Sequence, residues 1–228
     1  MKLSLVSKSH VIDNIWSFVF EPESVMEYDA GQYVRVKLDH PNPDDEGFKR
    51  FFSNSAAPHE GVLQIVTRLT GSTFKNALSK LKEGATDLEL LEAHDGDFIW
   101  QDTDRPILLV AAGIGVTPYH SILKQRAHDG ERIPATLLYN GRSRDLPWVD
   151  YFAELEASHP EFAVVYQIDE RVTIETLRSR FPLLNESLVY LSGPEAMVED
   201  VGEHLKQAGL PEDQLMQDWF PNYDESSY

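Results

Sequence analysis

Up to about residue 100 the apolar positions fall in short runs rather than helical stripes. Residues 16–20, 33–38, 62–66 and 88–91 are rich in β-branched, aromatic or leucine side chains and are bounded by turn residues such as Gly31, Pro58, Gly61 and Gly84. Such runs predict strands, and several of them in succession predict a sandwich or small barrel. One helix interrupts them, because Phe74, Leu78 and Leu81 recur at i, i+4 and i+7 after Thr73. From Arg105 the rhythm changes. A continuous apolar run at 107–111 is followed by a helical pattern at 117–128. Strand-like runs at 135–139, 162–168 and 188–191 then alternate with helical ones near 150–157, 174–180 and 195–208. This β-α-β-α-β-α-β-α order predicts a parallel sheet covered by helices. The polar connector Asp102-Thr103-Asp104-Arg105-Pro106 separates the two patterns, which predicts domains over 1–104 and 105–228.

Composition narrows the chemistry. The 228 residues carry 20 Lys and Arg against 38 Asp and Glu, a formal net charge of −18, and 42% of them are hydrophobic. The excess is spread evenly: residues 1–104 hold 10 basic and 18 acidic side chains, and 105–228 hold 10 and 20. A field of that sign repels nucleic acid and anionic lipid surfaces, so neither is expected as a partner. No apolar run approaches the ~18 residues that span a bilayer, and the first residues lack a signal-peptide core, which predicts no membrane insertion and a cytoplasmic location. Cysteine is absent, which removes disulfides, thiolate-held metals and a catalytic thiol. The eight histidines show no spacing such as H-E-x-x-H, and no metal site is assigned. Asp44-Asp45-Glu46 reads as a solvated loop.

Three segments have the residue types for cofactor chemistry. Val110-Ala111-Ala112-Gly113-Ile114-Gly115-Val116-Thr117-Pro118 joins a buried strand to a helix. Its glycines let backbone approach a ligand, Thr117 suits an N-cap, Pro118 suits the first helical position, and the first amides suit a pyrophosphate. Gly-x-Gly alone fits a tight turn equally well. Gly71-Ser72-Thr73 likewise precedes a helix, where an N-cap is the simpler reading. Lys49-Arg50-Phe51-Phe52-Ser53-Asn54-Ser55 puts cations, aromatics and hydroxyls into one strand. There Arg50 suits a phosphate, Phe52 a stacking surface and Ser53 a heterocycle. A half-buried strand with a snorkelling arginine is the alternative.

Taken in order with Gly31-Gln32-Tyr33, Ser192-Gly193-Pro194-Glu195-Ala196 and the tail Phe220-Pro221-Asn222-Tyr223, these segments resemble the ferredoxin-NADP reductase family, within it the short, stand-alone FAD-binding oxidoreductases. The likeness covers almost the whole chain. It implies a six-stranded antiparallel Greek-key barrel for FAD, then a parallel-sheet α/β domain for NADPH or NADH. It places Arg50, Gly71, Ser72 and Thr73 at the FAD pyrophosphate, Phe52 on the flavin ring and Ser53 near its N5, with Phe51, Arg68 and Phe220 also counted on the cofactor side. Gly113, Gly115, Thr117, Pro118, Gly193 and Pro194 would border the nicotinamide dinucleotide, and Ser192 would lie near the reacting ring. Two residues depart from the family pattern: Phe52 stands where many relatives have tyrosine, and Ser192 where many have cysteine.

The implied activity is hydride uptake from NAD(P)H onto flavin, with electrons passed to free flavin, a ferric chelate or a small electron-transfer protein. A flavin-binding regulatory or electron-transfer subunit, active only within a complex, is the alternative. Arg142 and Arg144 follow the second strand of the α/β half and suit a 2′-phosphate, which favours NADPH. An acidic carrier protein would meet net charge −18 unless Lys49, Arg50, Arg68 and Lys75 concentrate positive potential, so a small-molecule or non-acidic acceptor is expected. The oligomeric state is not legible in the sequence.

Overall fold

The computed structural model of the chain describes residues 1–69 and 71–220, with backbone alone at 92–95 and 220. The runs of the first half form six antiparallel strands: β1 (Lys2–Ile12), β2 (Ile15–Pro22), β3 (Tyr33–Leu38), β4 (Lys49–Ser53), β5 (Leu63–Arg68) and β6 (Leu88–Asp95). They pair in the order β4-β3-β6-β1-β2-β5. Just past β4 the chain meets the opposite edge, where Ser55 N donates to Gln64 O of β5 at 3.0 Å, and the sheet closes into a barrel. Strand alternation sends Val34, Val36 and Leu38 inward to join Phe18, Phe20, Leu63, Ile65, Leu88 and Leu90. Helix α1 (Thr73–Lys80) adds Phe74 and Leu78 to the same core. Gly31 is held at φ +103°, and a Cβ there would lie 2.2 Å from Phe98 O, so this turn requires glycine.

The second half alternates as expected: β7 (Ile107–Ala112), α2 (Thr117–Asp129), β8 (Ala135–Gly141), α3 (Val149–Ser158), β9 (Ala163–Ile168), α4 (Ile174–Arg180), β10 (Leu188–Pro194), α5 (Glu195–Gln207) and β11 (Leu215–Phe220). The sheet is parallel, ordered β11-β10-β7-β8-β9. Its central β7 is buried at every position, as befits a strand covered on both faces. Leu108, Val110, Val189 and Leu191 pack with Val198, Val201 and Leu205 of α5.

The chain forms two compact units, one of residues 1–100 with 117–128, the other of 101–116 with the described residues from 129 onward. Helix α2, expected with the parallel sheet, therefore groups with the barrel. Its own contacts give the reason. Tyr119 packs against Phe98 with ring centroids 5.6 Å apart. His120 Nδ1 donates to Ser55 O at 2.7 Å, and Ser121 Oγ to Ala56 O at 2.6 Å. These two bonds pin the chain immediately after Ser53. Burial drives the His120 pKa down to about 4, against the hydrogen bond to Ser55, which raises it; the ring is neutral at pH 7. No described helix is long and apolar enough to cross a membrane.

Candidate functional site

In the barrel unit the residues suited to a phosphate come together around one guanidinium. Arg50 Nη2 donates to Asp44 Oδ1 at 2.5 Å and its Nε pairs with Glu46 Oε2 at 2.6 Å. Its Nη1 donates to Gly47 O at 3.1 Å and Lys49 O at 2.8 Å. The same group lies 5.3 Å from the centre of the Phe74 ring. Asp44 then reaches the start of α1: Thr73 N donates to its Oδ2 at 3.2 Å and Thr73 Oγ1 lies 3.0 Å from the same oxygen. His40 Nε2 sits 3.0 Å from Thr73 Oγ1 on the other side. Partial burial pushes the Asp44 carboxyl up, but the hydrogen bonds from Arg50 and Thr73 and the charge of Arg50 outweigh it and hold its pKa at about 2. The segment 44–46, expected to be a solvated loop, is thus tied to Arg50 and Thr73. Local composition cannot show a partner 29 residues further on.

This donor set suits the diphosphate of FAD. It offers a guanidinium, a threonine hydroxyl, the first amide of a helix, and the Ser72 hydroxyl, which is buried with no hydrogen-bond partner. The neighbouring strand positions divide between core and surface. Alternation along β4 turns Phe52 into the barrel core, 6.0 Å from Phe74, and leaves Phe51 outward at 52% exposure. The exposed aromatic face on β4 is therefore Phe51, flanked by Tyr33 at 5.6 Å and by Arg35 over its ring at 5.3 Å. Ser53 is buried at the end of β4. Arg68 is not gathered into this cluster's contacts; its Nη1 donates to Asn14 Oδ1 at 2.6 Å. Lys75 is buried, so it adds little to any positive potential that Lys49, Arg50 and Arg68 could present.

In the parallel-sheet unit a cavity of about 610 Å³ opens beyond the C-terminal ends of the strands. Ala112 of β7, Asn140 and Gly141 of β8 and Pro194 of β10 border it, with Met197 and Asp200 from α5. Strand order reverses on either side of β7, which is where parallel α/β sheets place ligands. Arg142 and Arg171 line the cavity together with Asp169, Glu170 and Asp200, whereas Arg144 does not. The sequence reading missed Arg171, which belongs to no motif. The strand-end rule would have found it, since it follows β9 as Arg142 follows β8.

The Gly-x-Gly segment has a clear backbone role. Gly113, at φ +54°, opens a single 3-10 turn, Gly113–Val116. A Cβ on Gly115 would lie 2.3 Å from Ser192 O and 2.7 Å from Gly193 Cα, so glycine is required there for β10 to approach. Thr117, expected to cap the helix, is instead the first residue of α2 directly after that turn, with Pro118 second. Ser192 is fully buried, and its Oγ donates to Asp218 Oδ2 at 3.5 Å across β10 and β11. Pro194 stands at the cavity rim and Gly193 against Ala112. Of Phe220 only the backbone, paired with Pro194, is described; Pro221, Asn222 and Tyr223 lie outside the described residues.

Residues 109–203 match the family model of the oxidoreductase NAD-binding domain. The chain is 30% identical to a flavohemoprotein of Burkholderia sp. (strain TH2), over 91% of this chain and 56% of that protein; it spans a little over half the length of such relatives. Its fold matches the flavohem-like FAD/NAD binding domain of nitric oxide dioxygenase from Vibrio cholerae O1 biovar El Tor, with TM-score 0.81 and 23% identity over 96% of this chain and 98% of that one. It also matches ferredoxin-NADP+ reductase from Plasmodium falciparum, with TM-score 0.80 and 14% identity over 96% and 95% of the two chains.

Proposed function

We propose that the chain is a member of the ferredoxin-NADP reductase superfamily and an NAD(P)H-dependent flavoprotein reductase delivering electrons to a second acceptor, a reading supported by the family model and by the matching folds. The observation that carries this reading is the cavity at the strand ends, open where strand order reverses and lined by Arg142 and Arg171, inside the segment that matches the NAD-binding model.

In the barrel unit, Arg50, Ser72, Thr73 and the first amides of α1 hold the diphosphate of FAD, a group that FMN would satisfy only in part. FAD held there would supply a hydride acceptor able to relay electrons. Ser53, pinned by the bonds of His120 and Ser121 to residues 55 and 56, supplies a hydroxyl to the flavin edge. A hydrogen bond that strengthens as hydride arrives contributes to rate rather than to affinity. Ser192, its hydroxyl oriented by Asp218, supplies a polar contact at the end of β10.

For the dinucleotide, the Gly113–Val116 turn keeps backbone close to the cavity, and Arg142 with Arg171 suits a 2′-phosphate. Carboxylates on the same wall suit ribose hydroxyls. The two guanidinium groups favour NADPH, facing three carboxylates on the same lining. As acceptor, a small molecule or a non-acidic protein fits best. Of the four cations that could steer an acidic carrier, Arg50 is held by two carboxylates and Lys75 is buried, and charges beyond a Debye length of ~8 Å do not steer.

Steady-state oxidation of NADPH and NADH by the FAD-loaded protein, with a ferric chelate as acceptor, tests the reading. Turnover with a higher kcat/KM for NADPH is expected; no oxidation of either nucleotide would refute it.

A further inference from the structure

Two of the donors assigned above to the FAD diphosphate, Arg50 and Thr73, already have an anion. Asp44 takes one Arg50 Nη2 hydrogen and the Thr73 amide, and it lies within hydrogen-bond distance of the Thr73 hydroxyl. Glu46 takes Nε, and two backbone carbonyls take both Nη1 hydrogens. A guanidinium has five N–H groups, so Arg50 cannot make a two-pronged contact with phosphate while both carboxylates stay in place. Charge adds to geometry: one cation faces two carboxylates, and a diphosphate would bring more negative charge to the same spot. Both acids sit on the connection between β3 and β4. Their side chains are 32% and 45% exposed, against 10% for Arg50, so the acids lie closer to solvent than the arginine does.

We propose that Asp44 is an intramolecular anion that competes with the diphosphate of FAD for Arg50 and Thr73, and so sets how tightly the flavin is held. Before flavin arrives, it keeps the guanidinium and the start of α1 oriented and satisfied. When flavin binds, the 39–48 connection gives up these contacts. The exchange swaps one carboxylate for a phosphate on the same donors, so FAD loses affinity relative to a chain lacking the acid. This rests on the reading of Arg50 and Thr73 as diphosphate ligands.

The test is fluorescence titration of the flavin-free full chain with FAD and, separately, with riboflavin, which has the ring but no phosphate. For Asp44→Asn, the Kd for FAD is expected to fall at least tenfold while that for riboflavin stays unchanged. Glu46→Gln releases only Nε and is expected to give a smaller tightening with the same selectivity; it serves if Asp44→Asn does not fold. An unchanged Kd for FAD in a folded variant, while the parent binds FAD, overturns the competition and leaves the diphosphate site standing. An equal gain for riboflavin overturns it too, since the effect would then not pass through phosphate. Failure of parent and variants alike to bind FAD overturns the flavin site, and the proposal with it.

Discussion

In the barrel unit, the groups suited to a diphosphate are closed around a carboxylate of the chain itself. In the parallel-sheet unit, the space suited to a dinucleotide is an open cavity of about 610 Å³ at the ends of the strands. The first site is built from side chains on a loop, a strand and a helix start, so its occupancy depends on which anion wins. The second is built at strand ends, and the Gly113–Val116 turn packed against β10 fixes the backbone that follows β7 before any ligand arrives. Carboxylates on a loop can give up their partners, whereas a turn wedged against a neighbouring strand cannot.

The largest effect is expected where the second site's rigidity is attacked. Gly115→Ala places a methyl 2.3 Å from Ser192 O, a clash with backbone that cannot rotate away. A loss of about 3 kcal/mol of stability is expected. Denaturant unfolding measures it, and a stability equal to the parent's would show that the turn has slack.

Next comes the helix that pins the chain behind Ser53. The His120 pKa is about 4 in the fold against an unfolded value near 6.5. The unfolded chain thus binds the proton first as pH drops. The neutral ring's contribution is fully present above pH 6.5 and is lost as pH falls towards 4, by about 2–3 kcal/mol. Comparing denaturation of parent and His120→Gln at pH 7 and 4.5 isolates it: the parent should lose more stability than the variant. Parallel losses would mean that His120 does not carry the dependence.

At the first site, Arg50→Ala should cost about 1.5–3 kcal/mol of FAD binding through lost charge-assisted hydrogen bonds. Flavin retention on gel filtration reads this out, and full retention would remove Arg50 from the site. The smallest effect sharpens the second site. Arg142→Ala should lower kcat/KM for NADPH about tenfold, roughly 1.4 kcal/mol, with little change for NADH. Arg144→Ala should leave both nearly unchanged, because Arg144 does not line the cavity. Equal losses for the two variants would contradict that distinction.

The same contrast explains what could be read from the sequence. Period and run length marked the strands at 107–111 and 33–38 and the helices at 117–128 and 195–208, because burial on one face dictates spacing. The chain order around Gly113 marked a strand-to-helix turn for the same reason. Strand β1, Lys2–Ile12, escaped because its polar side chains, such as those of Ser7, Lys8, Ser9 and His10, break the apolar run. Phe51 and Phe52 are adjacent and equally apolar, so composition could not say which one alternation turns inward; a one-residue shift of register exchanges them. Asp44 was invisible as a partner of Arg50 and Thr73, since a loop carboxylate carries no periodic signal and its contacts cross the chain. The grouping of α2 with the barrel was hidden likewise. Its apolar stripe marks a buried face but not what buries it.

The most direct test of the central claim is the absorbance of the FAD-loaded protein during anaerobic addition of one equivalent of NADPH. Loss of the oxidised flavin's visible bands, restored when air is admitted, is the result this account predicts. A chain that holds FAD and whose spectrum does not change with either NADPH or NADH would contradict it.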